Sequence, residues 1–158
     1  MAHAGISGLP PKSHPTKLLF LDIDGVLHPD GYPSFSRLEY FQSVLADMPG
    51  VDIVISSSWR MDHSFEKLLE FFPPEMRGLI IGATPLLENC FDPGGRQREI
   101  EALLAQTKAG DDGLSWVALD DCARFFDADC SQLILVDGEC GFGEADALRL
   151  RQWFARHR

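Results

Sequence analysis

The sequence predicts an α/β fold, an open sandwich built on a parallel sheet. Three observations point to it. Five short, nearly continuous apolar runs recur along the chain, at residues 17–23, 51–56, 79–83, 116–119 and 132–136. Such runs suit strands buried on both faces, as in parallel sheets. Stretches with apolar residues at helical spacing lie between them, and strand–helix alternation favours this architecture. Acidic residues cluster immediately after two of the runs, Asp22-Ile23-Asp24-Gly25 after the first and Asp120-Asp121 after the fourth. Ligands in open α/β sheets bind outside the carboxyl ends of the strands.

Taken in order, residues 1–16 contain Gly5, Gly8, Pro10, Pro11 and Pro15 and read as a flexible arm before a single domain over 17–158. A first helix is expected over 36–48, capped by Ser36, with Leu38, Phe41, Val44, Leu45 and Met48 on one face. A second starts at a Ser64 cap, turns Phe65, Leu68, Leu69 and Phe72 inward and stops at Pro73 and Pro74. A third, 96–107, carries Ile100, Leu103 and Leu104. The last, 144–156, carries Ala147, Leu148, Leu150, Trp153 and Phe154, with Leu150 one position out of phase with Leu148, and ends in arginines that suit the helix dipole.

Composition narrows the function. With 158 residues, the chain is long enough for its own core. The longest apolar runs are far shorter than the roughly 20 residues of a membrane span, and no stretch of signal-peptide length opens the chain. A cytoplasmic protein is the expectation. Cys90, Cys122, Cys130 and Cys140 include no CxxC pair, which argues against a zinc knuckle and for reduced thiols. Fourteen Lys and Arg against 24 Asp and Glu give a net charge of −10. That balance disfavours general nucleic-acid binding, which needs phosphate-neutralising bases. Carboxylates converging from two strand ends would repel one another without a counter-cation. A hard, oxygen-seeking ion such as Mg²⁺ suits them.

The segment 19–27, LFLDIDGVL, resembles motif I of the haloacid dehalogenase (HAD) superfamily in its phosphatase-type DxD form. The resemblance implies a Rossmann-like sheet of order 5-4-1-2-3 with helices on both faces and a Mg²⁺-dependent phosphomonoesterase working through an aspartyl-phosphate. By position it makes Asp22 the nucleophile and a metal ligand. It makes Asp24 the general acid/base, with its backbone carbonyl on the metal. An acid at that position also argues against dehalogenation. Ser56 matches the residue that binds the transferring phosphoryl group, with Ser57 as the alternative, and backbone amides around Gly25 would assist. The basic residue of the third motif is Arg96, Arg98 or Lys108, of which Arg96 at a helix start is favoured. Asp120 and Asp121 supply the fourth motif, with Asp121 favoured as the direct ligand.

Neither interval that carries a cap domain in this superfamily, Asp24 to Ser56 or Ser56 to Arg96, has room for one. The resemblance therefore implies an open site, hence a large substrate or a cap lent by another subunit of an oligomer. Residues 28–35 form a short flap from which His28, Tyr32 and Phe35 could reach a leaving group or merely pack. The segments SSSWR (56–60), RQREI (96–100) and LDD (119–121) are similar to the small HAD group found within RNA-repair proteins, over roughly 17–153. Phosphorylated nucleic-acid ends thus join small phosphorylated molecules as candidate substrates, against the acidic charge. Arg60 could meet Asp24, Asp121 or a substrate phosphate, and Arg98 is a further substrate-binding candidate. Trp59 reads as core rather than a base-stacking platform, and Asp137-Gly138 as an edge turn. Two other classes compete. A receiver domain would place its adjacent acidic pair after the first strand, not the fourth. A catalytically silent HAD-fold binding module would need a defect in one of these motifs.

Overall fold

The computed structural model describes residues 17–107 and 114–157. The arm 1–16 and Lys108 lie outside them. Five parallel strands form one sheet: β1 (Lys17–Leu21), β2 (Val51–Ile55), β3 (Ile80–Ala83), β4 (Ser115–Asp120) and β5 (Leu133–Leu135). Their spatial order is β3-β2-β1-β4-β5, which is 5-4-1-2-3 read from the opposite edge. The expected Rossmann-like α/β sheet is therefore present. In register, Leu21 faces Ile55 on one side and Leu119 on the other. The residues that follow on β1 and β2, and the last residue of β4, consequently meet along one crest.

Alternation along β1 divides the core. Leu19 and Leu21 join one cluster with Leu38, Phe41, Val44 and Leu45 of α1 (Leu38–Ala46) and with Ala147, Leu150, Trp153 and Phe154 of α5 (Glu144–Arg156). Leu68 of α2 (Phe65–Glu70) and Met76 of α3 (Pro74–Arg77) belong to the same cluster. Leu18 and Phe20 point the other way and pack with Ile100 and Leu103 of α4 (Gly95–Thr107). Burial on both faces explains why the strand segments are nearly continuous apolar runs. Among the described residues only helices of up to 13 residues and turns separate the strands, and none of them forms a cap domain over the crest. No described helix is long and apolar enough to cross a membrane.

Several elements differ from expectation in their ends. Helix α1 starts at Leu38, and Arg37, not Ser36, is its cap, without a side-chain bond. Backbone contacts set the entry instead: the Arg37 amide donates to the Leu27 carbonyl (2.9 Å) and the Leu38 amide to the Phe35 carbonyl (3.1 Å). It ends at Ala46 rather than Met48, because the Asp47 and Met48 amides turn back to the Val44 and Leu45 carbonyls. The Ser64 hydroxyl does cap α2, accepting from the Lys67 amide (3.1 Å). Pro74 then opens the separate turn α3, its fixed φ being suited to a first helical position. On α5, Leu150 is fully buried and Leu148 is 55% exposed. With about 100° per residue, Ala147, Leu150, Trp153 and Phe154 share a face and Leu148 cannot join them.

Leu150→Ala is expected to lower unfolding free energy by about 2–5 kcal/mol, and Leu148→Ala by less than about 0.5 kcal/mol. Denaturant melts of the two variants check the phase of α5.

Candidate active site

The hydrogen-bond ladder runs one residue past β1 and β2. The Asp22 amide donates to the Leu119 carbonyl (3.1 Å), and the Ser56 amide donates to the Leu21 carbonyl (2.8 Å). These bonds seat Asp22 between Ser56 and Asp120 at the crest. Carboxylate oxygens of Asp22, Asp120 and Asp121 lie within 4.8 Å of one another. Asp22 and Asp120 are buried and Asp121 is half-buried. Three carboxylates converge here, not four. The Asp24 side chain turns away to its own partners.

Arg96 is the cation set among these acids. Its guanidinium donates to Asp120 (2.8 Å), lies 3.4 Å from Asp22 and sits 4.8 Å over the Phe125 ring. Burial alone would lower the Arg96 pKa, but Asp120 and Asp22 outweigh it and raise it. Burial pushes Asp22 well above the usual carboxylate range; Asp120 and Asp121 push it further, against Arg96. Burial also raises Asp120 and Asp121. Asp120 is spoken for within the chain, since it also accepts from the Cys122 amide (2.9 Å). Asp121 instead shares a hydrogen bond with Asp22. Its carboxylate lies against two glycines. A Cβ on Gly25, which has φ +78°, or on Gly138 would collide with it. Asp137-Gly138, read as an edge turn, thus forms part of the wall. The Asp30 amide donates to the Gly138 carbonyl (2.8 Å), joining the loops that follow β1 and β5.

The two serines after β2 have different surroundings. The Ser57 hydroxyl accepts from the Trp59 amide (3.2 Å) and caps the 3₁₀ turn Ser58–Met61. The Ser56 hydroxyl is the one buried side-chain polar atom without a hydrogen-bond partner among the described residues. Native interiors seldom leave such an atom unpaired, so a water or a bound group would be the partner it lacks within the described residues.

Two arginines lie elsewhere than expected. Arg60 meets neither Asp24, Asp121 nor the crest. Its guanidinium pairs with buried Glu99 (2.8 Å) and donates to Ser57, Thr84 and Pro85 carbonyls. A buried guanidinium needs this full set of acceptors. The partner that decides its position, Glu99, is distant in sequence and sits within RQREI. Arg98 is exposed and binds the Pro93 and Asn89 carbonyls, on the outer side of α4. Three positions separate Arg96 from Glu99, so both lie on the inner face of the helix while Arg98 lies outside it.

Asp24 accepts two side-chain hydrogen bonds, from His28 Nε2 to Oδ1 (2.8 Å) and from Trp59 Nε1 to Oδ2 (2.9 Å). Its side chain is 39% exposed, whereas His28 is fully buried. Phe35 packs rather than reaching outward: its ring centroid is 5.0 Å from His28 and 5.4 Å from Trp59 and Phe71. It is also the one non-glycine residue with positive φ (+54°) among those described, a conformation that costs about 1–3 kcal/mol. Tyr32 is 71% exposed. Trp59 is neither plain core nor an open platform, because its indole N–H is bonded to Asp24. A tryptophan and a histidine on different loops carry no spacing signal that would link them to Asp24 beforehand.

With this geometry in place, similarity to known proteins can be set beside it. Residues 18–147 match the family model described as the HAD domain in Swiss Army Knife RNA repair proteins. The chain belongs to this HAD family. Membership places it in a superfamily of phosphatase-type hydrolases, and the sheet order is that of the superfamily. No curated protein and no solved structure matches the chain.

The HAD domain's raised carboxyls have a consequence for stability. A carboxyl with a raised native pKa holds its proton in the folded state at pH values where the unfolded chain has released it. Stability of the metal-free protein therefore falls as pH rises above the ordinary value near about 4, through the window up to the raised native values. Asp121→Asn removes one like charge and should raise the metal-free Tm at neutral pH by about 2–4 °C for each kcal/mol relieved. It should also flatten the pH dependence of Tm, as calorimetry across pH would read.

Proposed function

We propose that this HAD domain is a Mg²⁺-dependent phosphomonoester hydrolase that works through a phosphoryl group carried on Asp22. The observation that carries the reading is the pairing at the crest of a buried carboxylate, Asp22, with an adjacent cation, Arg96, and an unpartnered buried hydroxyl, Ser56. A phosphoryl group seated there would supply the acceptor that the Ser56 hydroxyl lacks and the anionic charge that Arg96 can bind.

The donor set suits Mg²⁺: the site offers carboxylate oxygens only, and burial has raised all three of their pKa values, so a cation would relieve them. Asp22 and Asp121 would hold the ion, with the Asp24 backbone carbonyl as the superfamily resemblance implies. Asp120 is bonded to Arg96 and the Cys122 amide and would orient the set. When bound, Mg²⁺ supplies the positive charge that keeps Asp22 ionised and offsets repulsion between nucleophile and phosphoryl group.

The chain's own groups then divide two displacements. An Asp22 oxygen bonds to phosphorus as the ester P–O bond breaks, and Asp24 gives its proton to the departing oxygen. In the second step Asp24 takes a proton from water, the water oxygen bonds to phosphorus, and the Asp22–phosphorus bond breaks to release inorganic phosphate. Ser56 donates to a phosphoryl oxygen and Arg96 balances charge there, where it is spread in the transition state.

For substrate we infer a phosphorylated nucleic-acid end. The family's description as a domain of RNA repair proteins and the uncapped crest support a polymer terminus. The net charge of −10 counts against loose binding along a backbone, so recognition would rest on the terminal phosphate.

Asp22→Asn should abolish release of phosphate from 4-nitrophenyl phosphate and from a phosphorylated oligonucleotide without changing the circular dichroism spectrum. Exhaustive chelation should do the same reversibly, and retained turnover in either case would contradict the reading. Ser56→Ala should lower turnover by about 10²–10³-fold. Its melting temperature should rise or hold, because the lost hydroxyl has no partner to leave behind.

A further inference from the structure

Asp24 is held from two directions by residues with no part in the reaction above. Trp59 reaches it from the turn after β2, and His28 from four residues downstream on the loop after β1. The His28 ring is oriented in turn. The Phe35 amide donates to Nδ1 (3.4 Å), so Nδ1 carries the lone pair and Nε2 carries the hydrogen that goes to Asp24. Phe35 presents that amide from its left-handed backbone conformation while its ring packs on both His28 and Trp59. The strain is therefore spent where the two donors are braced, a pattern typical of functional sites.

We propose that Trp59 and His28 are positioning residues that fix the Asp24 carboxylate for protonation of the leaving oxygen. The proposal rests on the reading of Asp24 as general acid/base. One donor on each carboxylate oxygen removes rotation of the group about its own axis. The side chain stays open to solvent on its remaining side, where a leaving group would arrive. Proton transfer needs the donor within hydrogen-bond reach, and a displacement of about 1 Å can cost about 10²-fold in rate. The indole and imidazole N–H groups thus act on the leaving-group step in particular, not on the phosphoryl group held by Asp22, Ser56 and Arg96.

A series of aryl phosphates graded in leaving-group basicity, from 4-nitrophenyl to phenyl phosphate, tests this with Mg²⁺ present. Their kcat/KM reports the steps through transfer to Asp22. Nitrophenolate departs with little help, whereas phenolate needs the proton. Trp59→Phe keeps an aromatic ring and removes only the donor. It should raise the 4-nitrophenyl-to-phenyl ratio of kcat/KM by about tenfold or more. His28→Leu should do likewise, while His28→Gln, whose amide can still donate, should stay near the wild-type ratio. A proportionate loss on every member of the series, or an unmoved ratio in both Trp59→Phe and His28→Leu, would overturn the positioning role. Asp22→Asn assayed in parallel separates the two levels. If it is inactive and the ratios do not move, only the positioning role fails; if it is as active as wild type, the whole assignment falls.

Discussion

The confinement of Asp22, Asp120 and Asp121 at the end of the buried central strands is the constraint around which the rest of the structure is arranged. Like charges this close raise one another's pKa, and burial adds to the effect. Arg96 relieves part of it, and it can do so only because α4 begins beside the crest and faces inward at that residue. Asp120 turns to Arg96 and the Cys122 amide, leaving Asp22 and Asp121 together. Asp121 approaches that closely only because Gly25 and Gly138 have no Cβ. The proposed Mg²⁺ and phosphoryl group would relieve this cost.

A second buried charge system stands behind the first. Arg60 and Glu99 pair in the interior, and both reach backbone of the surrounding loops: Arg60 the Ser57 and Thr84 carbonyls, Glu99 the Leu87 amide. Buried pairs of this kind contribute little net stability, but losing one partner strands the other. Their effect here is geometric. One face of α4 sends Arg96 to the carboxylates and Glu99 to Arg60 in the turn Ser58–Met61, so a single helix ties the carboxylate cluster to the loop after β2. The aromatic contacts of Phe35, Trp59 and Phe71 do the corresponding task on the opposite side, under Asp24.

Two features bear on how the site meets substrate. No described element caps the crest, and of the four acids of motifs I and IV, Asp24 and Asp121 are the least buried. Ser56 and Arg96 lie deeper, both buried. On the proposed reading, this gradient suits a phosphate carried on the tip of a larger molecule. A silent binding module would have no evident use for an oriented acid at the entrance. Asp22, Asp24, Ser56, Arg96 and Asp121 carry the residue types of the four motifs, in keeping with the proposed hydrolase.

By itself the sequence determined the sheet, its order through family resemblance, and the placement of Asp22, Ser56 and Asp120 at strand ends. Apolar runs and the acids that end them are local patterns with a fixed period, and parallel register brings strand ends together of necessity. Only the tertiary structure decided what the long side chains do. Asp24, Asp121 and a substrate phosphate are all open to Arg60 in the sequence, but its charge, once buried, pairs with Glu99 across the fold. Arg98 and Arg96 are alike in sequence and differ by the helical turn that points one inward and the other outward. Asp24 looked like a fourth member of the metal cluster, yet donors from His28 and Trp59 draw its carboxylate away. Hydrogen bonds among loops depend on approach in space, for which the sequence has no periodic signature. That is why the strand ends that carry the reaction could be read directly, while the partners that orient them could not.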